Sequence, residues 1–168
     1  ELLSRVQVAC AAEEIDFAIV LNKSDLADLL PRAQALLAPF AAIGISIIET
    51  STLTHHGLDL LKQRIGHRTT ALTGQSGMGK SSLINALVPE AKASIGEISR
   101  FLDTGRHTTT TVQAYQLSAD TTLIDVPGLQ VFGLSHLDDE QILLAFPEFR
   151  PHLGDCRFSD CLHDQDPG

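Results

Sequence analysis

Residues 74–82 carry a glycine-rich loop that few folds can accommodate. Gly74, Gln75, Ser76, Gly77, Met78, Gly79, Lys80, Ser81 and Ser82 match the Walker A pattern G-x4-G-K-S without a mismatch. A short apolar run, Thr70-Ala71-Leu72-Thr73, precedes the loop, and Leu83-Ile84-Asn85-Ala86-Leu87 follows it. The order is strand, loop, helix. The three glycines let the backbone turn successive N–H groups inward toward phosphate oxygens. The following helix adds the positive end of its dipole. Lys80 has the reach for β- and γ-phosphates, and the Ser81 hydroxyl suits Mg²⁺. An ordinary glycine turn before a helix needs neither the lysine nor the serine. The loop specifies a nucleotide phosphate and leaves the base open.

The rest of the chain reads as strands alternating with helices. Leu2, Leu3, Val6 and Cys10 predict a helix over 1–14, with Cys10 a small packing residue. Residues 17–21 (Phe-Ala-Ile-Val-Leu) form a compact apolar run that ends abruptly in polar residues, as a buried parallel strand does. A helix is expected over 27–42, starting near Pro31, then a strand over 44–49 and an amphipathic helix over 57–65. Strands follow at 68–73, 112–117 and 121–124, with residues 89–107 mostly loop. This alternation predicts an α/β fold, a mostly parallel sheet with helices on both faces. Past about residue 134 the pattern changes to short helical pieces with Pro147 and Pro151. Residues 1–134 are therefore read as the nucleotide domain and 135–168 as the start of another.

Two further motifs bear on the base and the metal. Asn22, Lys23, Ser24 and Asp25 fit N-K-x-D at the end of the first strand. A carboxylate at Asp25 can accept hydrogen bonds from guanine N1–H and the 2-amino group. Adenine has neither donor, and a site built on such bonds rejects it strongly. Asn22 can meet the N7 side of the purine and tie neighbouring loops, and the Lys23 stem can lie along the base or ribose. Ser51 and Thr52, after the strand at 44–49, are placed to offer backbone N–H to guanine O6. Asp125, Val126, Pro127 and Gly128 fit D-x-x-G after another strand. There Asp125 can hold Mg²⁺ through water and the Gly128 N–H can meet a γ-phosphate. Within Thr108–Thr111, Thr109 is favoured as the switch threonine completing the Mg²⁺ shell, although a β-branched run leading into the next strand gives the same residues. Leu129 follows Gly128 where many GTPases place a water-orienting Gln, so intrinsic hydrolysis should be slow unless a partner stimulates it. His107 is the candidate to orient that water; a solvated loop histidine is the competing reading. His55 and His56 are expected in a solvated loop, and Asp138-Asp139-Glu140 at a helix start.

The motif order is unusual. N-K-S-D and the serine loop come first, followed by the phosphate loop, the threonines and D-x-x-G. The set is complete but circularly permuted relative to an ordinary GTPase, and such a site survives if its parts still meet in space. The composition excludes other classes. A net charge of −9 makes this segment a poor nucleic-acid binder by itself, and no Trp and one Tyr leave no stripe for base stacking. No apolar run reaches membrane-spanning length. Three cysteines make no disulfide framework and fit a reducing cytoplasm. The chain begins at Glu1 and ends at Gly168, which reads as a piece of a longer protein.

With these residues in view, the chain resembles the RsgA (YjeQ) circularly permuted GTPases of bacteria. The resemblance rests on N-K-S-D at 22–25, GQSGMGKSS at 74–82, GRHTTT at 105–110, D-V-P-G at 125–128, F-G-L at 132–134 and C-x4-C-x-H at 156–163. It spans essentially the whole chain. It implies a P-loop NTPase fold, an N-terminal OB-fold upstream, a C-terminal zinc domain, and a role in late maturation of the small ribosomal subunit and its rRNA. Cys156, Cys161 and His163 have zinc-ligand spacing, although two buried cysteines and a surface histidine fit equally well. The family adds a fourth ligand, a cysteine that would fall just past Gly168, for a structural Zn²⁺. The expected cofactors are GTP or GDP, Mg²⁺ and Zn²⁺. The expected protein is a cytoplasmic monomer that binds no membrane. Its rivals are a permuted GTPase of large-subunit assembly, a nucleotide-switched binding module with negligible hydrolysis, and an adenine-nucleotide enzyme.

Overall fold

The computed structural model describes residues 2–88, 112–126 and 133–155. Its elements run α1 (Leu2–Ala12), β1 (Ala18–Asn22), α2 (Leu30–Ala42), β2 (Ser46–Thr50), α3 (Leu58–Ile65), β3 (Thr69–Leu72), α4 (Lys80–Leu87), β4 (Gln113–Ser118), β5 (Thr121–Asp125) and α5 (Asp139–Leu144). A 3₁₀ turn at Arg150–His152 follows. Every strand and helix expected over the described residues is present, with ends shifted by a residue or a few. The shifts have local causes. β1 runs on to Asn22 because Asn22 still pairs with Thr50 in the β1–β2 ladder. α2 starts at Leu30, beside Pro31 as expected, because residues 26–29 are tied up in turns, with Leu26 N–H donating to Lys23 O and Leu29 N–H to Leu26 O. The expected loop at 89–107 lies outside the described residues.

Among the described residues the strands pair as two sheets. β1 and β2 are parallel. β5 is central in the other sheet, parallel to β3 and antiparallel to β4. The antiparallel pair follows from its short turn at Ala119-Asp120, since parallel neighbours need a long crossover. Parallel pairing places the C-terminal ends of β1 and β2 side by side, and likewise those of β3 and β5. Those ends carry the polar motifs.

The chain divides into two compact units. One comprises residues 18–41 and 46–130. Its core joins Ile48 from β2, Leu58, Leu61 and Ile65 from α3, Leu83, Ile84 and Leu87 from α4, Tyr115 from β4 and Leu123 from β5. The i, i+3, i+7 spacing of Leu58, Leu61 and Ile65 puts one face of α3 inward. Ile84 and Leu123 are essentially inaccessible, and each such side chain contributes about 1.5–3 kcal/mol of burial. The other unit, within 1–17, 42–45 and 131–168, packs α1 against α5. Val8, Leu137 and Ala145 form its centre. Gln7 is buried there with its amide donating to Ala145 O at 3.0 Å. Asp138 caps α5, as its sequence suggests: its side chain accepts from Gln141 N at 2.8 Å, and the Gln141 side chain accepts from Asp138 N at 3.0 Å. Burial pushes the Cys10 thiol up, consistent with a packing role.

Tyr115 reports on the core. Burial, and then the Asp125 carboxylate, push its phenol above the ordinary value. The folded state thus holds the proton more tightly than the unfolded state. Its contribution is complete below pH ~10 and is lost as pH rises through the folded value. Tyr115 is the only tyrosine and there is no Trp, so ultraviolet tyrosinate absorbance reads it alone. The expected native midpoint lies above that of the urea-unfolded chain; coincident midpoints would show that Tyr115 is not desolvated.

Candidate functional site

The phosphate-loop motif bridges β3 and α4. β3 and β5 end level with each other: Leu72 pairs with Asp125, and Val126 N–H donates to Leu72 O at 3.0 Å. Two backbone turns then shape the loop. Gly77 and Gly79 both sit at left-handed φ, +82° and +86°, which costs a glycine nothing. At Gly79 the need is also steric, because a Cβ there would stand 2.6 Å from Asn22 Nδ2. α4 begins at Lys80, with Leu83 N–H donating to Gly79 O at 2.9 Å. The Lys80 amine turns back onto the Asp125 carboxylate, forming an ion pair with both side chains largely shielded from solvent. Ser81 and Ser82 are exposed on the first turn of α4, while Gln75, Ser76 and Met78 are exposed on the loop.

The base motif reaches the same place from β1. Asn22 Nδ2 donates to Met78 O at 3.1 Å, and Lys23 Nζ donates to Gly77 O at 2.8 Å. The Lys23 amine is fastened to the phosphate loop, from a backbone at φ +64°, which leaves the stem free to lie along a base or ribose. These two bonds join segments more than fifty residues apart in sequence.

β2 supplies the support. Thr50 and Ser51 are fully buried, unusual for hydroxyl residues, and both are hydrogen-bonded. Thr50 Oγ1 donates to Asn22 Oδ1 at 3.3 Å, and Ser24 N–H donates to Thr50 O at 3.0 Å. Ser51 Oγ donates to Asp25 Oδ1 at 2.5 Å, a charge-assisted bond. From sequence alone Ser51 is expected to contribute only a backbone N–H and Thr50 nothing. The missed signal was register: consecutive hydroxyls ending a strand lie beside the polar end of its parallel partner. Thr52 is half-buried, and His55 and His56 are exposed as expected.

The structure thus brings together Asn22, Lys23, Ser24, Asp25, Ser51, the loop 74–79, Lys80 and Asp125. Thr109, His107, Gly128, Cys156, Cys161 and His163 lie outside the described residues. The assembled groups suit a nucleotide with Mg²⁺. At Gly74 and Gly77 no atom beyond the adjoining residues lies within 4 Å of where a Cβ would stand, so the loop backbone is open there. The lysine–carboxylate pair holds the opposed charges a metal–phosphate group would separate. Ser81 and Asp125 are the hard oxygen donors Mg²⁺ takes. Among the described residues, no helix is long and apolar enough to cross a membrane.

Comparison with known proteins is consistent with this geometry. The family model described as RsgA GTPase matches residues 1–135. The chain is 47% identical over its whole length to the small ribosomal subunit biogenesis GTPase RsgA of Bordetella pertussis, of which it covers 57%. It is 46% identical to the protein of the same name from Burkholderia pseudomallei, covering 54% of it. The chain therefore spans little more than half the length of these relatives. Among solved structures, YjeQ from Thermotoga maritima matches at a TM-score of 0.70 and 28% identity, over 98% of this chain and 54% of that one. YloQ, a circularly permuted GTPase, matches at a TM-score of 0.66 and 30% identity, over 99% of this chain and 52% of that one.

Proposed function

Because the chain belongs to the RsgA GTPase family, we propose that its protein hydrolyses GTP to GDP and phosphate as a maturation factor of the small ribosomal subunit. One observation carries the reading. Asn22 and Lys23 hydrogen-bond the carbonyls of Met78 and Gly77, so a guanine motif and a phosphate loop meet in one site despite their permuted order. The names of the full-length relatives support the ribosomal role.

In this reading Asp25 accepts from the guanine edge, Asn22 meets N7, and Ser24, Ser51 and Thr52 wall the base pocket. The amides of residues 74–82 cradle the phosphates. Lys80 leaves Asp125 for the β- and γ-oxygens, where its charge offsets the charge developing in the transition state. Ser81, Thr109 and, through water, Asp125 hold Mg²⁺, which neutralises and orients the phosphates when bound. The Gly128 N–H meets the γ-phosphate, and His107 positions the water that Leu129 cannot hold. Cys156, Cys161 and His163 ligate a structural Zn²⁺ in the longer protein. Contact with rRNA falls mainly to parts outside this acidic segment, and the protein acts as a cytoplasmic monomer.

The test is GTP turnover by the full-length protein, alone and with purified small or large subunits. Slow intrinsic turnover strongly stimulated by the small subunit is the expected result. Stimulation by the large subunit alone would transfer the role to that particle. GTP binding without turnover under any condition would leave a nucleotide-switched binding module.

A further inference from the structure

The turn from β2 to α3 contains a closed hydrogen-bond circuit. Ser51 N–H donates to His56 O at 3.0 Å, fastening the start of the turn to its end. Ser51 Oγ accepts from the N–H groups of Leu53 and Thr54, each at 3.2 Å. A hydroxyl has one proton and two acceptor sites. Both acceptor sites are taken by backbone, so the proton is committed to Asp25 Oδ1. The aim of the Asp25 carboxylate is therefore set by the shape of this turn.

Gly57 closes the turn in a space without slack. Its φ is +68°, and a Cβ there would stand 1.9 Å from the Glu49 carbonyl oxygen and 3.0 Å from the carbonyl carbon. That carbonyl cannot retreat, because Glu49 lies in β2, opposite Leu21 in the parallel ladder. Nor can α3 move away freely, since Leu58, Leu61 and Ile65 anchor it in the core. The yielding part is the exposed segment at His55 and His56, which holds Ser51 in place.

We infer that Gly57 is a specificity-determining position for the nucleotide base: lacking a side chain, it lets the turn close so that Ser51 aims Asp25. Gly57 touches no ligand in this scheme and acts as a positioning residue. The inference rests on the reading of Asp25 as the guanine acceptor.

The test measures GDP and ADP affinities by calorimetry on the full-length protein, for wild type, Gly57→Ala, Ser51→Ala and the double variant. Expected is a fall in the GDP-over-ADP preference of roughly 10- to 100-fold in each single variant, the worth of one charge-assisted hydrogen bond. ADP affinity should change little. The double variant should lose no more preference than the more affected single one, because both changes act on one circuit. Equal losses for GDP and ADP, an unchanged ratio in Gly57→Ala, or additive losses would overturn the inference. Should Gly57→Ala fail to fold, Ser51→Ala still tests the circuit, since it removes the hydroxyl but keeps the Ser51 N–H bond to His56 O; an unchanged ratio there also overturns the inference. A wild-type protein with no preference for GDP would overturn the guanine reading itself, a result distinguishable from failure of Gly57 alone.

Discussion

The Asp25→Asn protein is expected to bind xanthosine diphosphate more tightly than GDP, reversing the preference of the wild type. Guanine offers two donors, N1–H and the 2-amino group, and a carboxylate accepts both. The introduced amide keeps one acceptor and adds an NH₂. Ser51 settles which end faces the ligand. Its hydroxyl accepts from Leu53 and Thr54 and must donate to position 25, so it selects the amide oxygen. The NH₂ is left to the base. Against guanine it meets another donor; against the C2 carbonyl of xanthine it finds an acceptor. Losing one charged bond and creating a donor–donor contact should move the GDP-to-XDP ratio by about a thousandfold. Competition binding checks this, and an unchanged preference for GDP would remove Asp25 from the base site.

Lys80→Ala is expected to abolish turnover and weaken nucleotide binding together. In the described structure the Lys80 amine neutralises the Asp125 carboxylate, and both side chains are largely shielded from solvent. Removing the cation takes away the group expected on the β- and γ-phosphates. It also leaves an anion unpaired where phosphates must enter, so repulsion replaces attraction. Loss of one such stabilising group costs roughly 100- to 1000-fold in the chemical step, and GTP affinity should fall by at least ~10-fold. Radiolabelled phosphate release and equilibrium binding separate the two effects. The double variant Lys80→Ala/Asp125→Ala should recover part of the binding and none of the turnover, since the repulsion is gone and the proposed metal ligand with it. Turnover near wild type in Lys80→Ala would exclude this loop from the chemistry.

Much of this site was legible because its chemistry is local in sequence. Walker A needs nine consecutive residues, and N-K-S-D needs four at a strand end. Their permuted order could be read without knowing the fold. The supporting contacts were not legible, because they depend on register. Thr50 lies opposite Asn22 only once β1 and β2 pair parallel, residue for residue. The partner of the Lys23 amine, a carbonyl of a loop more than fifty residues away, cannot be read from four consecutive residues. Gly57 resembles any glycine before a helix until the Glu49 carbonyl is placed against it. α2 shows the converse: Pro39 lies inside the helix, where propensity alone would end it. Pro39 cannot donate to the carbonyl of Ala35, but that turn is exposed and water can take the donor's place.

The permuted order also sets the sequence of events at synthesis. β1, α2, β2 and α3 are contiguous and contain the N-K-S-D motif and its Thr50 and Ser51 partners; β3, α4, β4 and β5 follow and contain the Walker A loop and Asp125. A chain made from its N-terminus presents the first half while the second is still being translated. At that moment Asp25, Ser51 and Gly57 would already have their local partners in the chain, but Asn22 and Lys23 would lack the loop carbonyls they hold in the complete fold. Ile48, Leu58, Leu61 and Ile65 likewise wait for Leu83, Ile84 and Leu123. The nascent protein would thus carry a half-built N-K-S-D site above an open apolar face, which the glycine loop and α4 would begin to close and which β5 would complete by adding Leu123 to the core and Asp125 beside Lys80.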